Sequence, residues 1–345
     1  MAGRPPALHG DRLVIEAAGL TKEFRARRGR VTAVAGVDFR IEEGEFVGYA
    51  GPNGAGKSTT VKMMTGILVP TAGSLTVDGL VPWRQRRALA ARTGVVFGQR
   101  TSLWWDLPLS ASFDLVRHLY RVPEAEHRRR LATLVELLGL GPLLDVPVRT
   151  LSLGQRMRAE LAAAVLPAPR ILFLDEPTIG LDVEAKAIVR DFLADLNATE
   201  GTTVILTTHD VDDLVRLCRR LLVIDHGRLI HDGPMADVAT LFGGHRVLVL
   251  DLVENGEVVA PGATVVRSEG RRRWLEFAPD EVSAPELIAR VLAHHEVRDL
   301  TLEEPDIEEV VRQIYRGGLS QRTPRPRSSG AGPGGAGGDP PRTGS

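Results

Sequence analysis

Cysteine occurs once in the 345 residues, at Cys218, so no internal disulfide can hold this chain together. That thiol lies in the helical-looking run "DDLVRLCRRL" and is expected to be a buried structural group rather than a reactive one. Long apolar runs are also missing. The best candidate, "LAAAVLPAPRILFL", is cut by two prolines and an arginine, which excludes a membrane-spanning helix there. The opening "MAGRPPALHGDR" has no apolar centre of a secretory signal, so a cytoplasmic location is expected. Charge of one sign is lacking too: a net charge of -1 supplies no basic field for nucleic acid, which is not expected as a partner. What is there, 43% hydrophobic and 25% charged, is the composition of a folded globular protein.

Residues 1–10 are polar and proline-containing, and read as a flexible leader. From there to about residue 240, short β-branched runs alternate with longer periodic segments, the pattern of an α/β domain with a mainly parallel sheet. The clearest strands are 45–50, 94–98, 171–175, 203–208 and 221–225. Residues 183–200 predict a helix with Ala185, Ile188, Val189, Phe192, Leu193 and Leu196 on one stripe, stopped by Gly201. Strand signals are missing from 103–150, where "SASFDLVRHLY" and "EHRRRLATLVELLGL" predict amphipathic helices. A helical subdomain inserted over about 103–165 follows, with His127 to Arg130 as a solvated helix face. Residues 245–316 predict a small α+β module, with strand-like "RVLVLDL", "ATVVRS", "RRWLEF" and "VRDLTL" and capping boxes at Ser283/Glu286 and Asp306/Glu309. The tail 317–345 is mostly Gly, Pro, Ser and Arg and is expected to be disordered.

Directly after the strand "EFVGYA" comes "GPNGAGKST", residues 51–59, which fits G-x-x-x-x-G-K-[ST]. Gly51, Gly54 and Gly56, with Asn53 and Ala55 between them, let backbone N–H groups turn inward around phosphate oxygens. Lys57 reaches the terminal phosphates, and the Ser58 hydroxyl beside Thr59 is suited to Mg²⁺. A nucleoside triphosphate is therefore the expected ligand. "ILFLDE" brings two carboxylates to the end of a buried strand: Asp175 is suited to the metal, and Glu176, turned the other way by the strand's alternation, to polarising a water. "TVILTTHD" ends a further strand at His209, and "VVFGQ" ends another at Gln99. In "LSLGQRMRAE", Ser152 precedes a run of helix formers, and an anion is the natural ligand of such a helix start.

Taken in order, "GPNGAGKST", "VVFGQ", "LSLGQ", "ILFLDEP", "GLD" and "TTHD" resemble the nucleotide-binding subunit of ABC transporters over residues 13–240. The resemblance implies a P-loop NTPase cassette: a RecA-like sheet core with the inserted helical subdomain, followed here by the α+β module. It implies ATP and Mg²⁺ as cofactors and a head-to-tail dimer enclosing two ATP molecules. Phe24 then matches the adenine-stacking aromatic, Gln99 the glutamine that senses Mg²⁺ and γ-phosphate, Glu176 the catalytic base and His209 the γ-phosphate switch. Asp182 matches the aspartate that crosses to the other subunit, and Ser152, Gly154 and Gln155 the signature that contacts the partner's ATP. Leu153 stands where the family has glycine, so its backbone angle decides whether the signature is intact.

Two classes of protein carry such a cassette. A transporter subunit pairs with membrane-spanning permease subunits and sits on the cytoplasmic face of the membrane; a soluble ATPase acts in translation or DNA repair. One phosphate loop in the chain disfavours the translation type. A gap of only about 115 residues between Lys57 and Asp175 leaves no room for the long coiled coil of the repair type. The C-terminal "TLEEPDIEEVVRQIY" is similar to daunorubicin-resistance exporters and "FGQRTSLWWDLP" to viologen-type exporters. Trp104 and Trp105 either pack the helical subdomain or meet a helix of the membrane subunit.

Overall fold

In the computed structural model, residues 12–26, 29–97, 101–208, 210–242, 246–279 and 281–303 are described. The chain opens with strands β1 (Leu13–Ala26) and β2 (Gly29–Glu42), a long antiparallel hairpin with repeated register shifts. Then come β3 (Phe46–Ala50), helix α1 (Lys57–Met64), β4 (Ala72–Val77), α2 (Arg86–Ala90) and β5 (Thr93–Phe97). Strand β4 pairs with β1, giving an antiparallel sheet of order β2-β1-β4. The composition reading did not foresee this sheet. Its strands are long and bulged, and β2 becomes alternately buried only in its second half, so the two-residue period is blurred.

Helices α3 (Leu109–Tyr120), α4 (Glu124–Leu137) and α5 (Leu153–Val165) form the expected helical insert. The chain returns to the sheet through β6 (Ile171–Asp175), α6 (Val183–Glu200), β7 (Thr203–Thr207), α7 (Val211–Leu217), β8 (Arg220–Asp225), β9 (Arg228–Pro234) and α8 (Met235–Phe242). Six strands run in the order β5-β6-β7-β3-β8-β9, parallel except for the last. Every residue of β3 and β7 is buried, as expected of strands covered on both faces. One apolar core joins this sheet to the helical insert; a second lies between it and the antiparallel sheet, around Ile15, Phe39, Tyr49 and Met63. The α6 stripe is buried as patterned except for half-buried Ile188, and Gly201 ends the helix in the left-handed conformation.

One local expectation needs revision. His127 is buried and Arg130 donates to the carbonyls of Val165 and Leu166 and to Glu200, so the run does not form a solvated face; only Arg128 and Arg129 do. Arg130 thereby satisfies carbonyls left over at the end of α5, a use that composition alone cannot distinguish from solvation. Cys218, in contrast, is buried as expected, and burial pushes its thiol up.

A separate antiparallel sheet is made by β10 (Arg246–Leu252), β11 (Ala263–Glu269), β12 (Arg272–Phe277) and β13 (Val297–Glu303), in the order β11-β12-β10-β13. Helix α9 (Ala284–His294) is capped by Ser283 and shares a core with this sheet through Leu287 and Val291. The Asp306/Glu309 cap and the tail lie outside the described residues.

Candidate active site

The parallel register aligns strand ends. Phe97 lies opposite Asp175, and Asp175 opposite Thr207, so β5, β6 and β7 finish together at the carboxyl edge of the sheet, where open α/β sheets bind ligands. From the neighbouring β3 the chain enters the glycine-rich loop. Gly51 (φ 150°) and Gly56 (φ 113°) have backbone angles closed to other residues. A Cβ on Gly51 would lie 2.0 Å from the Ile224 carbonyl oxygen, and one on Gly56 2.4 Å from that of Ala33. Both glycines are thus required by close packing as well as by the turn. Asn53 and Gly54 are exposed on the loop, while Ala55 is buried and Thr59 half-buried on the first turn of α1.

Lys57 is 6% exposed and donates to the carbonyls of Gly51 and Pro52. Burial draws its ammonium below the usual lysine range, while the charges of Glu176 and Asp175 oppose that shift. Lysine and carboxylates therefore share one field. The Ser58 hydroxyl donates to Asp175 at 3.2 Å, and Thr207 donates to the same carboxylate oxygen at 2.5 Å. A hydroxyl and a carboxylate in contact are the hard oxygen donors that Mg²⁺ prefers, so these residues fit that ion. Thr207 was missed from the sequence; its only signal there is a polar residue closing an apolar strand.

Glu176 is half-buried and its N–H donates to the Thr207 carbonyl. The strand alternation expected to direct it does not reach Glu176, because β6 ends at Asp175 and Glu176 is left-handed at φ 58°. A non-glycine residue in that region costs of order 1 kcal/mol or more and is held only by its surroundings. Beside it opens a cleft of about 430 Å³ lined by Thr178, Gly180, Lys186, Thr208 and Asp210. Under the cleft lies a polar network that the sequence reading missed. Fully buried Asp213 accepts from the hydroxyls of Thr178 and Thr208 and from Arg190, while Lys186 and Arg190 pair with Asp210. It ties the loop after Glu176 to the end of β7. His209 and Gln99 lie outside the described residues.

Ser152 is the N-cap of α5 with a reciprocal capping box: its Oγ accepts from the Gln155 N–H at 3.2 Å, and Gln155 Oε1 accepts from the Ser152 N–H at 2.9 Å. Leu153 is the first helical residue and is absent from the residues of positive φ, so glycine's conformational freedom is not needed there. Its side chain is 37% exposed and touches the Gly180 loop. Gly154 lets α5 lie close to α6: a Cβ there would approach the Ala185 Cβ to 3.0 Å. Asp182 caps α6 by accepting from the Ala185 N–H at 2.7 Å. Ser152, Gly154, Gln155 and Asp182 consequently line one open cleft of about 190 Å³, apart from the phosphate loop. Phe24 is 40% exposed on β1, with the Lys22 ammonium 5.2 Å above its ring.

A strand, a glycine loop and a helix with buried Lys57, set against a strand-end carboxylate bonded to the loop's own serine, define a P-loop nucleoside triphosphatase. The chain belongs to the ABC transporter family: it is an ATP-binding subunit and an ATPase, and residues 34–179 match the family described as "ABC transporter". It is 36% identical to the daunorubicin resistance ATP-binding protein DrrA3 of Streptomyces coeruleorubidus, over 82% of this chain and 91% of that protein. With the methionine import ATP-binding protein MetN of Halalkalibacterium halodurans it shares 33% identity, over 77% of this chain and 80% of the relative. Among solved structures, the dimeric post-hydrolysis state of the ATP-binding cassette MJ0796 bound to ADP and Pi is 26% identical, with a TM-score of 0.58 over 64% of this chain and 98% of that one. No helix among the described residues is long and apolar enough to cross a membrane.

Proposed function

We propose that the chain is the energy subunit of an exporter of drug-like or antibiotic small molecules. It works as a head-to-tail pair on the cytoplasmic face of the membrane, beside separate permease subunits. The observation that supports the export direction is how much of this chain is matched: 81–86% by the drug-resistance proteins of this family against 64–77% by the methionine importers.

In this reading Phe24 stacks on adenine, and the N–H groups of 51–59 with Lys57 hold the phosphates. Ser58 and Asp175, with Gln99, hold Mg²⁺, which when bound neutralises charge on the phosphate oxygens. Glu176 accepts the proton of the attacking water while His209 contacts the γ-phosphate. Of the two carboxylates, Asp175, bonded to Ser58, serves the metal and Glu176 the proton. Ser152 and the free N–H groups at the start of α5 engage the ATP of the second subunit, and Asp182 crosses the same interface. Membrane subunits dock in a groove of about 220 Å³ lined by Gly94, Val95, Ser102, Trp104, Leu119 and Tyr120. Trp104 and Leu119 are 37% and 66% exposed there, an anchor and a rim suited to an apolar helix.

Glu176→Gln tests the reading. The variant should bind ATP with unchanged affinity, hydrolyse it at least about a hundredfold more slowly and accumulate as a dimer in ATP. Hydrolysis at the wild-type rate would refute the assignment of the base. For direction, cells expressing the chain with its membrane subunits should accumulate less anthracycline than cells carrying Lys57→Ala; equal accumulation would refute anthracycline export.

A further inference from the structure

Glu160 lies on the third turn of α5, is 4% exposed and has no role in the chemistry described above. Its carboxylate accepts from the N–H of Ser102 at 2.9 and 3.1 Å, from the hydroxyls of Thr101 and Ser102, and from the Leu103 N–H at 3.4 Å. All these donors come from the segment directly after Gln99, and no cation pairs with Glu160 among the described ion pairs. A buried carboxylate held only by neutral donors grips the segment that supplies them. Ser102 is at the same time a wall of the groove beneath Trp104. Eight residues earlier, about 12 Å along the helix axis, α5 begins at Ser152.

We propose that Glu160 is a positioning residue that couples the docking groove to the nucleotide-contacting start of α5. The proposal rests on the reading of Ser152 as a contact to the second subunit's ATP. An α-helix is stiff over 12 Å, so a shift of Ser102 and Trp104 passes through one carboxylate to Ser152 as a rigid displacement, and the reverse. Carboxylate chemistry is required for this grip. Gln in the same volume offers one acceptor oxygen in place of two and turns an NH₂ donor toward donors.

The test uses the full chain in the Glu176→Gln background, with ATP·Mg²⁺ driving pairing and hydrogen exchange read at residues 101–105. ATP should slow exchange there about tenfold. With Glu160→Gln added, ATP affinity and pairing should stay within about twofold, while the ATP-linked slowing should disappear. A purely structural Glu160 would change exchange equally with and without ATP. An ATP-linked slowing that survives Glu160→Gln overturns the proposal, as does its absence in a parent that pairs. Failure of the parent to pair in ATP overturns instead the reading of Ser152. Should Glu160→Gln not fold, Thr101→Ala with Ser102→Ala removes two donors from the far side and should cut the slowing at least about threefold. An unchanged slowing in that variant overturns the proposal as well.

Discussion

Replacing Ser152 separates the helix cap it forms from the nucleotide contact proposed for it. Its capping box joins two hydrogen bonds, of 3.2 and 2.9 Å, at an exposed helix start. Ser152→Ala removes the side-chain half and leaves the Gln155 N–H to water, a cost of about 1 kcal/mol. In a cassette of this size that is about 2–4 °C in Tm. Ser152→Asp retains an acceptor of equal capping strength and sets a negative charge at the positive end of α5, so Tm should be unchanged or slightly raised. ATP turnover should follow the opposite order. Alanine keeps the backbone N–H groups and should lose turnover moderately. If the proposed contact is made, aspartate would set a like charge against the partner's γ-phosphate, and turnover should fall at least about a hundredfold. The assays are calorimetric unfolding and steady-state phosphate release on the same preparations. Wild-type turnover in Ser152→Asp would refute the contact to nucleotide, whatever the Tm.

Removal of Asp213 by alanine leaves Arg190 short of a buried partner and two threonine hydroxyls without an acceptor, and should cost about 3 kcal/mol. A Tm within one degree of wild type would contradict the network's importance. His127 and His231 are both drawn below the ordinary histidine range by burial. Their folded pKa values lie under the unfolded one, so their contribution is full above about pH 6.5 and is lost as pH falls through the folded values. Tm should accordingly fall between pH 7.5 and 5.5, and less steeply in His127→Phe; parallel slopes would rule out His127 as a source.

The phosphate loop was legible because its chemistry is local: a preceding apolar run, glycine spacing and the lysine follow one another between residues 45 and 57. Asp175 was legible for the same reason, since four apolar residues ending in a carboxylate can be read without knowing their neighbours. The 13–42 hairpin was not, because its pairing is long-range and bulged. Glu176 shows a subtler limit. Strand alternation was expected to set its direction, but its backbone is left-handed, a feature that no periodicity encodes. Leu153 raised a conformational question that only coordinates could answer, and the first turn of α5 answers it without strain. Glu160 and Asp213 escaped notice since an acidic residue in a helical run carries no signal until its donors, as many as 59 residues away in sequence, are seen around it.

Sites shared between two chains are the centre of this account, and complementation tests them most directly. Lys57→Ala and Ser152→Asp should each be nearly inactive alone. Mixed in equal amounts, they form dimers that pair an intact phosphate loop from one chain with an intact Ser152 from the other. Such a mixture should regain about a quarter of wild-type ATPase activity, since half the dimers carry one of two sites. A mixture no more active than its components would contradict the composite site.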